Sequence, residues 1–243
     1  MYPILFRIGT FEITSFGVMV ALGALAGLWI YGRELTRSRL PQTAADAALF
    51  GVLGGLVGAK LLWSIEHVHT APFFSLVFSR GGMSWFGGFL GGVGTAIVMF
   101  RRHRVPLIPA IAAATPALAI GHAIGRIGCF LVGDDYGRPS DLPWAVAFPD
   151  GVPPVYVPVH PTQLYEAAAL AVLAWILIWW RRHGTGDQTV LGRYLLLAGV
   201  IRFGIEFIRV NPKVLGPLTF AQTISIGIIT AGIVVLATRP RRA

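Results

Sequence analysis

This sequence has few charged residues and a single cysteine. Charged residues make up 13% of its 243 residues, whereas soluble domains contain about 25%. Hydrophobic residues make up 55%, so the chain lacks the polar side chains needed to cover a water-exposed globule. The composition excludes disorder, a coiled coil and collagen, and the lone Cys129 excludes an internal disulfide or a cysteine-based zinc site. We therefore predict an integral membrane protein.

Seven segments are predicted to be transmembrane helices, because about 20 mostly apolar residues cross the hydrocarbon core. The connection between the fourth and fifth, residues 131–161, is rich in proline and aspartate and is longer than a turn requires. The predicted fold is an all-α polytopic membrane protein with one integral-membrane domain, residues 1–243, and this connection as its head region. The segments are Ile13–Tyr31, Ala45–Trp63, Ser84–Phe100, Leu107–Ile127, Thr162–Trp180, Val190–Ile208 and Thr219–Ala237.

The basic residues predict the orientation of these helices, since cytoplasmic loops carry an excess of lysine and arginine. We therefore place the N-terminus outside, the C-terminus in the cytoplasm and the long loop on the extracytoplasmic side. The net charge of +9 is then explained by topology, and no nucleic-acid partner is expected. Eleven basic residues lie on the predicted cytoplasmic side and four in the opposite loops: Arg33, Arg37, Arg39, Arg101, Arg102, Arg104, Arg181, Arg182, Arg239, Arg241 and Arg242, against Arg7, Arg80, Arg138 and Lys213.

Ionisable side chains inside membrane spans are costly and usually mark function. With the exception of Arg193, those of this chain fall in the outer half of the predicted bundle. A transmembrane ion path would need polar groups at every depth, so the distribution favours a polar cavity that opens to the outer leaflet. The residues are Lys60, Glu66, Arg126, Glu166, Arg193, Arg202, Glu206 and Arg209.

Two clusters stand out among these residues by their spacing. Arg202, Glu206 and Arg209 follow i, i+4, i+7 spacing and are predicted to share one helix face, while His122 and Arg126 form an i, i+4 pair. The alternative for the first cluster is a self-neutralising pair with a snorkelling arginine. Guanidinium groups bind phosphate through two parallel hydrogen bonds, so the gathered arginines favour the phosphate of a phospholipid headgroup.

Glycines spaced four residues apart predict close helix packing, because small residues let two helix backbones approach each other. Packing is also the preferred interpretation of Cys129, one turn after Arg126, in place of a role as nucleophile. The glycine pairs are Gly51 with Gly55, Gly54 with Gly58, Gly87 with Gly91 and Gly88 with Gly92.

Four stretches resemble the prolipoprotein diacylglyceryl transferase family of bacteria. They read GRIGCFLVGDDYGRPSDLPWAVAFP at 125–149, HPTQLYEA at 160–167, MSWFGGFLGG at 83–92 and RFGIEFIR at 202–209. The combination is long and ordered, and it extends over essentially the whole chain. The resemblance implies seven spans with the N-terminus outside, as the residues themselves predict.

The resemblance also implies an activity. Family members transfer the diacylglyceryl group of phosphatidylglycerol to the lipobox cysteine in the signal peptide of a prolipoprotein, forming a thioether and releasing glycerol 1-phosphate. This is the first step of lipoprotein maturation, and it takes place at the bacterial cytoplasmic membrane, with the active site facing the outer leaflet. The implied partners are phosphatidylglycerol, the prolipoprotein and membrane lipid; no cofactor and no metal are expected.

Motif positions assign roles by the same resemblance. Arg126 and Arg202 match the arginines that hold the lipid phosphate and support catalysis, and we add His122 to them as a candidate catalytic residue. The other positions that match family motifs, and from which we expect contacts with phosphatidylglycerol, are Gly133, Gly137, His160, Gln163, Tyr165, Glu206 and Arg209. Glu166 also matches the start of the fifth span.

The chain departs from the family pattern at several positions, and Phe86 matters most because it occupies the place of a histidine implicated in catalysis. The others are Phe16, Cys129 and Asp134. The base is then His122, His160 or no residue at all. Asp134 and Asp135 are interpreted as loop-structuring residues or arginine partners. Alternative functions are a divergent paralogue that binds phospholipid or modifies another acceptor, and, with less support, a transporter.

Overall fold

The computed structural model describes residues 2–9, 11–79 and 82–238, the side chains of Ile8, Phe11 and Trp85 excepted. Within these ranges the protein is mostly helical, as predicted, with short two-stranded antiparallel sheets before α1, between α5 and α6, and between α7 and α8. The helices are α1 (Ser15–Arg37), α2 (Thr43–Glu66), α3 (Phe73–Val77), α4 (Trp85–Arg102), α5 (Leu107–Val132), α6 (Thr162–Arg182), α7 (Asp187–Ile205) and α8 (Phe220–Ala237). The strands are β1 (Ile4–Ile8), β2 (Phe11–Thr14), β3 (Val146–Phe148), β4 (Val155–Val159), β5 (Lys213–Leu215) and β6 (Leu218–Thr219).

Among the described residues, five helices are long and apolar enough to cross a membrane: α1, α2, α5, α6 and α8. The third and sixth predicted spans do form helices, α4 and α7, but these are less apolar. Helix α4 is rich in glycine and ends in Arg101 and Arg102, and α7 contains Asp187, Arg193 and Arg202. The multi-pass membrane character is therefore shown, while the count of seven spans stays a prediction.

The topology argument used four arginines that lie outside the described residues: Arg80, Arg239, Arg241 and Arg242. The chain divides into two compact units, one made of the described residues up to Ile30 and from Ile111 onwards, the other of Tyr31–Ala110. The assignment of one integral-membrane domain stays a prediction.

The Tyr31–Ala110 unit is built around the packing of α2 against α4 through glycine. A Cβ on Gly55 would lie 3.2 Å from the carbonyl oxygen of Gly88, and one on Gly92 would lie 3.1 Å from that of Gly51. Gly58 approaches the backbone of Gly87 more closely still. The predicted glycine pairs thus serve helix packing, because any larger side chain would separate the two backbones.

The other unit holds an apolar core between α5, α6 and α7. Leu173 and Leu177 of α6 and Val190 of α7 are almost fully buried in it, together with Ala119 and Ala123 of α5. The alanines of α5 thus pack against side chains of α6 and α7. Next to this core, Arg126 of α5 and Glu166 of α6 form an ion pair.

The connection from α5 to α6 is ordered by a small sheet. Strand β3 pairs antiparallel with β4, with Val146 opposite Val159. Phe148 of β3 is fully buried and packs edge-to-face on Phe130 of α5 and stacked on Tyr136. These aromatic contacts hold residues 133–137 against the end of α5.

Candidate active site

Arg126 is the centre of a cluster of charged side chains at the C-terminal end of α5. It is buried, with 7% of its surface exposed. Its Nε lies 3.0 Å from Oε2 of Glu166 on α6, and its Nη1 donates to Oδ2 of Asp135 at 2.8 Å. Nη2 is buried and has no hydrogen-bond partner among the described residues. The guanidinium group therefore has donor capacity left after pairing with two carboxylates.

Glu166 connects Arg126 to His122. The carboxylate is almost fully buried, at the point where the second turn of α6 passes α5. Its Oε1 lies 3.6 Å from Nε2 of His122, which is one turn before Arg126 on α5 and has a side chain 51% exposed. The imidazole of His122 therefore lies next to a buried carboxylate and remains accessible to a substrate.

Asp135 bridges two arginines from distant parts of the chain. It accepts from Arg126 and also from Nη2 of Arg209. Burial raises the pKa of Asp135, but the hydrogen bond from Arg126 and the positive charges of Arg209 and Arg126 outweigh burial, so this pKa lies below its usual value. The carboxylate is thus held ionised between two guanidinium groups.

The neighbouring Asp134 has the opposite environment. Burial is the largest influence and raises the pKa of this carboxyl above its usual value, against a lowering hydrogen bond with Cys129. Its Oδ1 has no hydrogen-bond partner among the described residues. Two adjacent aspartates are therefore tuned in opposite directions, because only Asp135 faces the arginines directly.

Arg202 forms an ion pair with Glu206, whose Oε2 lies 2.7 Å from Nη1 of the arginine. Asn211 donates to the other oxygen of Glu206 at 2.6 Å. The charges of Arg202 and Arg126 both act electrostatically on His122, so both arginines lie near that histidine. The pairing of Arg202 with Glu206 follows the i, i+4 spacing seen in the sequence.

The prediction that Arg209 shares a helix face with Arg202 and Glu206 is wrong. Helix α7 ends at Ile205, and Arg209 forms a β-bridge with Gly137 instead. The N–H of Arg138 donates to the carbonyl oxygen of Ile208 at 2.9 Å. These backbone bonds to the α5–α6 connection replace those of another helical turn, and they turn Arg209 towards Asp135.

Gly133 and Gly137, predicted to contact the lipid, have backbone roles. Gly133 ends α5 with a φ of +73°, the left-handed conformation that favours glycine at this position. At Gly137 a Cβ would lie 2.8 Å from Cβ of His160 and 3.0 Å from the carbonyl oxygen of Ile208. Only glycine lets these three strands of chain meet, so Gly137 positions the loop that carries Asp135.

The residues that open α6 divide into two groups. Gln163 is fully buried and donates to the carbonyl oxygen of Asp134, which places it beside the charged cluster. His160 and Tyr165 instead form a separate aromatic group with Trp144, whose Nε1 donates to the hydroxyl of Tyr165 at 2.7 Å. Within the described ranges, none of these three side chains forms a hydrogen bond with an arginine side chain, although the backbone N–H of His160 donates to the carbonyl oxygen of Arg138 at 3.1 Å.

Cys129, Asp134 and Asp135 bring three possible metal-ligand atoms within 4.8 Å of one another. The guanidinium group of Arg126 donates to two of the three, Sγ of Cys129 at 3.3 Å and the carboxylate of Asp135. A positive charge already lies there, which disfavours a cation. Cys129 is buried beside Arg126, and the packing role indicated by the sequence stays a prediction.

The structure thus brings together Arg126, His122 and Arg209, and places Arg202 with Glu206 in their electrostatic neighbourhood. Two acidic residues at the centre, Glu166 and Asp135, were absent from the predicted site. Glu166 had been noted as an intramembrane charge and Asp135 as a possible arginine partner. The sequence thus indicated that Glu166 and Asp135 each need a positively charged partner, but it did not indicate which arginine or histidine that partner is.

The family model for prolipoprotein diacylglyceryl transferase matches residues 3–238. A phosphatidylglycerol–prolipoprotein diacylglyceryl transferase of Nitratidesulfovibrio vulgaris is 33% identical, over 90% of this chain and 84% of the relative. Proteins of the same name from Pseudomonas paraeruginosa and Methylobacillus flagellatus are 31% and 32% identical, each over 99% of this chain and 94% and 97% of the relative.

Proposed function

This chain belongs to the prolipoprotein diacylglyceryl transferase family, and from that premise we propose that it transfers a diacylglyceryl group from phosphatidylglycerol to the lipobox cysteine of prolipoproteins. The product is a thioether, and glycerol 1-phosphate is released. The observation that carries the proposal is the convergence of Arg126 and Arg209 on one anionic group at the end of α5. A phosphate fits such a pair because each guanidinium donates two parallel hydrogen bonds.

The reaction is a displacement at the glyceryl C3 carbon. The thiol of the substrate gives up its proton, its sulfur forms a bond to C3, and the C3–O bond to phosphate breaks. The electron pair of that bond leaves with glycerol 1-phosphate. Arg126 and Arg202 stabilise the charge that develops on the departing phosphate, which is the larger part of the catalysis.

His122 is the base that the geometry supports best. Its ring is half exposed, and Glu166 at 3.6 Å stabilises the imidazolium that forms when the thiol proton is accepted. His160, the alternative from the sequence, is engaged with Tyr165 instead. We therefore assign the role of base to His122 on α5, which neighbours Glu166, the ion-pair partner of Arg126.

In the proposed arrangement seven helices cross the bacterial cytoplasmic membrane, with α4 and α7 among them. The N-terminus lies outside, the C-terminus in the cytoplasm, and the α5–α6 connection on the extracytoplasmic side. Arginines in the last turns of α1, α4 and α6 support this orientation, since all three helix ends then face the cytoplasm. The charged cluster consequently opens to the outer leaflet, where phosphatidylglycerol and exported prolipoproteins meet it.

A transfer assay tests the proposal. Purified protein is incubated with phosphatidylglycerol vesicles and a lipobox peptide, and the peptide is analysed by mass spectrometry. We expect the mass of one diacylglyceryl group on the cysteine, and none on a peptide with serine in its place. Binding of the lipid without transfer would favour the divergent paralogue, for which Phe86 is the argument, and ion flux without transfer would favour a transporter.

Growth provides a second test. Cells depleted of their own transferase are expected to grow when this chain is expressed and to fail when it carries Arg126→Ala. Equal accumulation of the two proteins in the membrane is the control, because a protein that is degraded would also fail to restore growth.

A further inference from the structure

The charged cluster has equal numbers of paired positive and negative side chains. Arg126, Arg202 and Arg209 pair with Glu166, Glu206 and Asp135. An anionic phosphate that joins this set brings an extra negative charge into a poorly hydrated place, where an unpaired charge is costly. Binding therefore becomes favourable when one carboxylate withdraws from its arginines.

The three carboxylates differ in their freedom to withdraw. The side chains of Glu166 and Glu206 are 2% and 0% exposed, whereas that of Asp135 is 41% exposed. Its partners Arg126 and Arg209 are buried, with side chains 8% and 6% exposed. Asp135 is the only one of the three that can reach water by a change of rotamer and leave two buried guanidinium groups behind.

The backbone of Asp135 is held by a contact of its own, separate from the ion pairs of its partly exposed side chain. Its φ of +60° is in the left-handed region, which aspartate adopts more readily than most residues. Thr162 at the start of α6 donates to its carbonyl oxygen at 2.8 Å. The change of position is thus confined to the carboxylate and leaves the loop in place.

We propose that Asp135 is a displaceable counter-ion: its carboxylate holds Arg126 and Arg209 together and gives up its place to the phosphate of an anionic phospholipid. The inference rests on the proposed function for the identity of the lipid. Phosphatidylglycerol then competes with an internal anion, and the affinity for it is the difference between the two interactions. Product release is assisted by the same competition, because the returning carboxylate replaces the departing phosphate.

Removing the charge of Asp135 while keeping its shape tests the competition. The Asp135→Asn variant is expected to bind phosphatidylglycerol in nanodiscs with a Kd about tenfold lower than the parent chain, or about 1.4 kcal/mol. Diacylglycerol, which lacks phosphate, is the control lipid and is expected to show no difference. Asp150→Asn removes the same charge from an exposed position of the same loop that has no ion pair among the described residues, and its Kd is expected to equal that of the parent.

Inorganic phosphate distinguishes a lipid phosphate from a free one. We expect the tenfold gain with phosphatidylglycerol, whether or not phosphate itself shows one. If the Kd for phosphatidylglycerol is unchanged or higher and only inorganic phosphate shows the gain, the lipid part of the inference is overturned. If neither ligand shows the gain, the inference is overturned entirely.

If Asp135→Asn folds poorly, thermal melting tests the inference in place of the Kd. Phosphatidylglycerol is expected to raise the Tm of the variant more than that of the parent, because the phosphate replaces the missing carboxylate. A variant that stays unfolded with and without this lipid, while Asp150→Asn folds, would show Asp135 to be a fixed structural partner and would refute the inference. The transfer assay separates the two claims: an inactive parent with the expected Kd difference refutes only the proposed function, and an active parent without it refutes only the counter-ion.

Discussion

The Tyr31–Ala110 unit and the unit that contains Arg126 differ in how their helices meet. In the first, α2 and α4 approach through glycines, and backbone lies against backbone. In the second, α5 and α6 bury Arg126 and Glu166 as an ion pair. Glycine contacts improve packing and need no ligand, whereas buried charges cost free energy that packing alone does not return. We therefore expect the α2–α4 contact to serve as a scaffold and the Arg126 cluster to carry the chemistry.

Loss of a guanidinium group is the largest effect expected. Arg126→Ala and Arg202→Ala should each lower the rate of lipid transfer at least about 100-fold, since each removes a donor for the charge on the leaving phosphate. The rate is measured with a lipobox peptide and phosphatidylglycerol. Full activity of Arg126→Ala, at equal amounts of folded protein, would contradict the assignment of the site.

A clash between α2 and α4 should lower stability and leave the chemistry intact. Gly58→Ala places a Cβ against the backbone of Gly87, which should lower the free energy of unfolding by about 1–3 kcal/mol. Gly94→Ala, on α4, is the matched control because no atom lies within 4 Å of its Cβ position. Thermal melting measures the difference. A loss of transfer per folded molecule in Gly58→Ala would show that the scaffold also takes part in the reaction.

The two adjacent aspartates should respond to pH in opposite ways. The pKa of Asp135 is lowered in the folded protein, so its ionised form adds stability above pH 4, which is lost as the pH falls through its folded pKa. The pKa of Asp134 is raised, so its protonated form adds stability below pH 4, which is lost as the pH rises through its folded pKa.

Melting temperatures of the asparagine variants measure this difference. At pH 7, without added lipid, Asp135→Asn should lower Tm and Asp134→Asn should raise it, each by about 2 °C, a shift in the range caused by less than 1 kcal/mol in a chain of this size. Both differences should shrink as the pH falls below 4. Shifts of the same sign in the two variants would contradict the opposite environments of the two carboxylates.

The smallest effect is expected for Cys129→Ala. Sγ accepts one weak hydrogen bond from Arg126, which keeps Glu166 and Asp135 as partners in the variant. The transfer rate should stay within about twofold of the parent, because this change removes no charge. A large loss of activity would give the thiol a part in the reaction that the contacts of Arg126 do not indicate.

Much of the helical structure and part of the site followed from sequence. All seven apolar segments correspond to helices, since a long apolar run has few other ways to satisfy its backbone in lipid. Arg126 was identified because intramembrane charges are rare, and His122 because it lies one helical turn before that arginine. The helix face assigned to Arg209 failed because β-bridge pairing with Gly137 outcompeted another turn of α7, a tertiary contact that spacing does not reveal.

The roles of Gly133 and Gly137 show a related difficulty. A motif match indicates that glycine is needed at a position and leaves open whether a ligand or another segment of chain approaches it. At Gly137 the neighbours are His160 and Ile208, both distant along the chain. The short sheets in the connections were missed for the same reason, because their strands are too short to produce a pattern.

The sequence by itself determined that this is an integral membrane protein and to which family it belongs. It also determined that the arginines within the membrane spans need anionic partners. These properties depend on composition, on motifs and on the cost of charge in a poorly hydrated place, which are the same in any arrangement of the helices. Only the tertiary structure decided which acid meets which arginine. Asp135 and Arg209 are 74 residues apart in the sequence. Their ion pair depends on where α7 ends and on the contacts that hold the loop after α5, and the spacing of residues within one segment predicts neither.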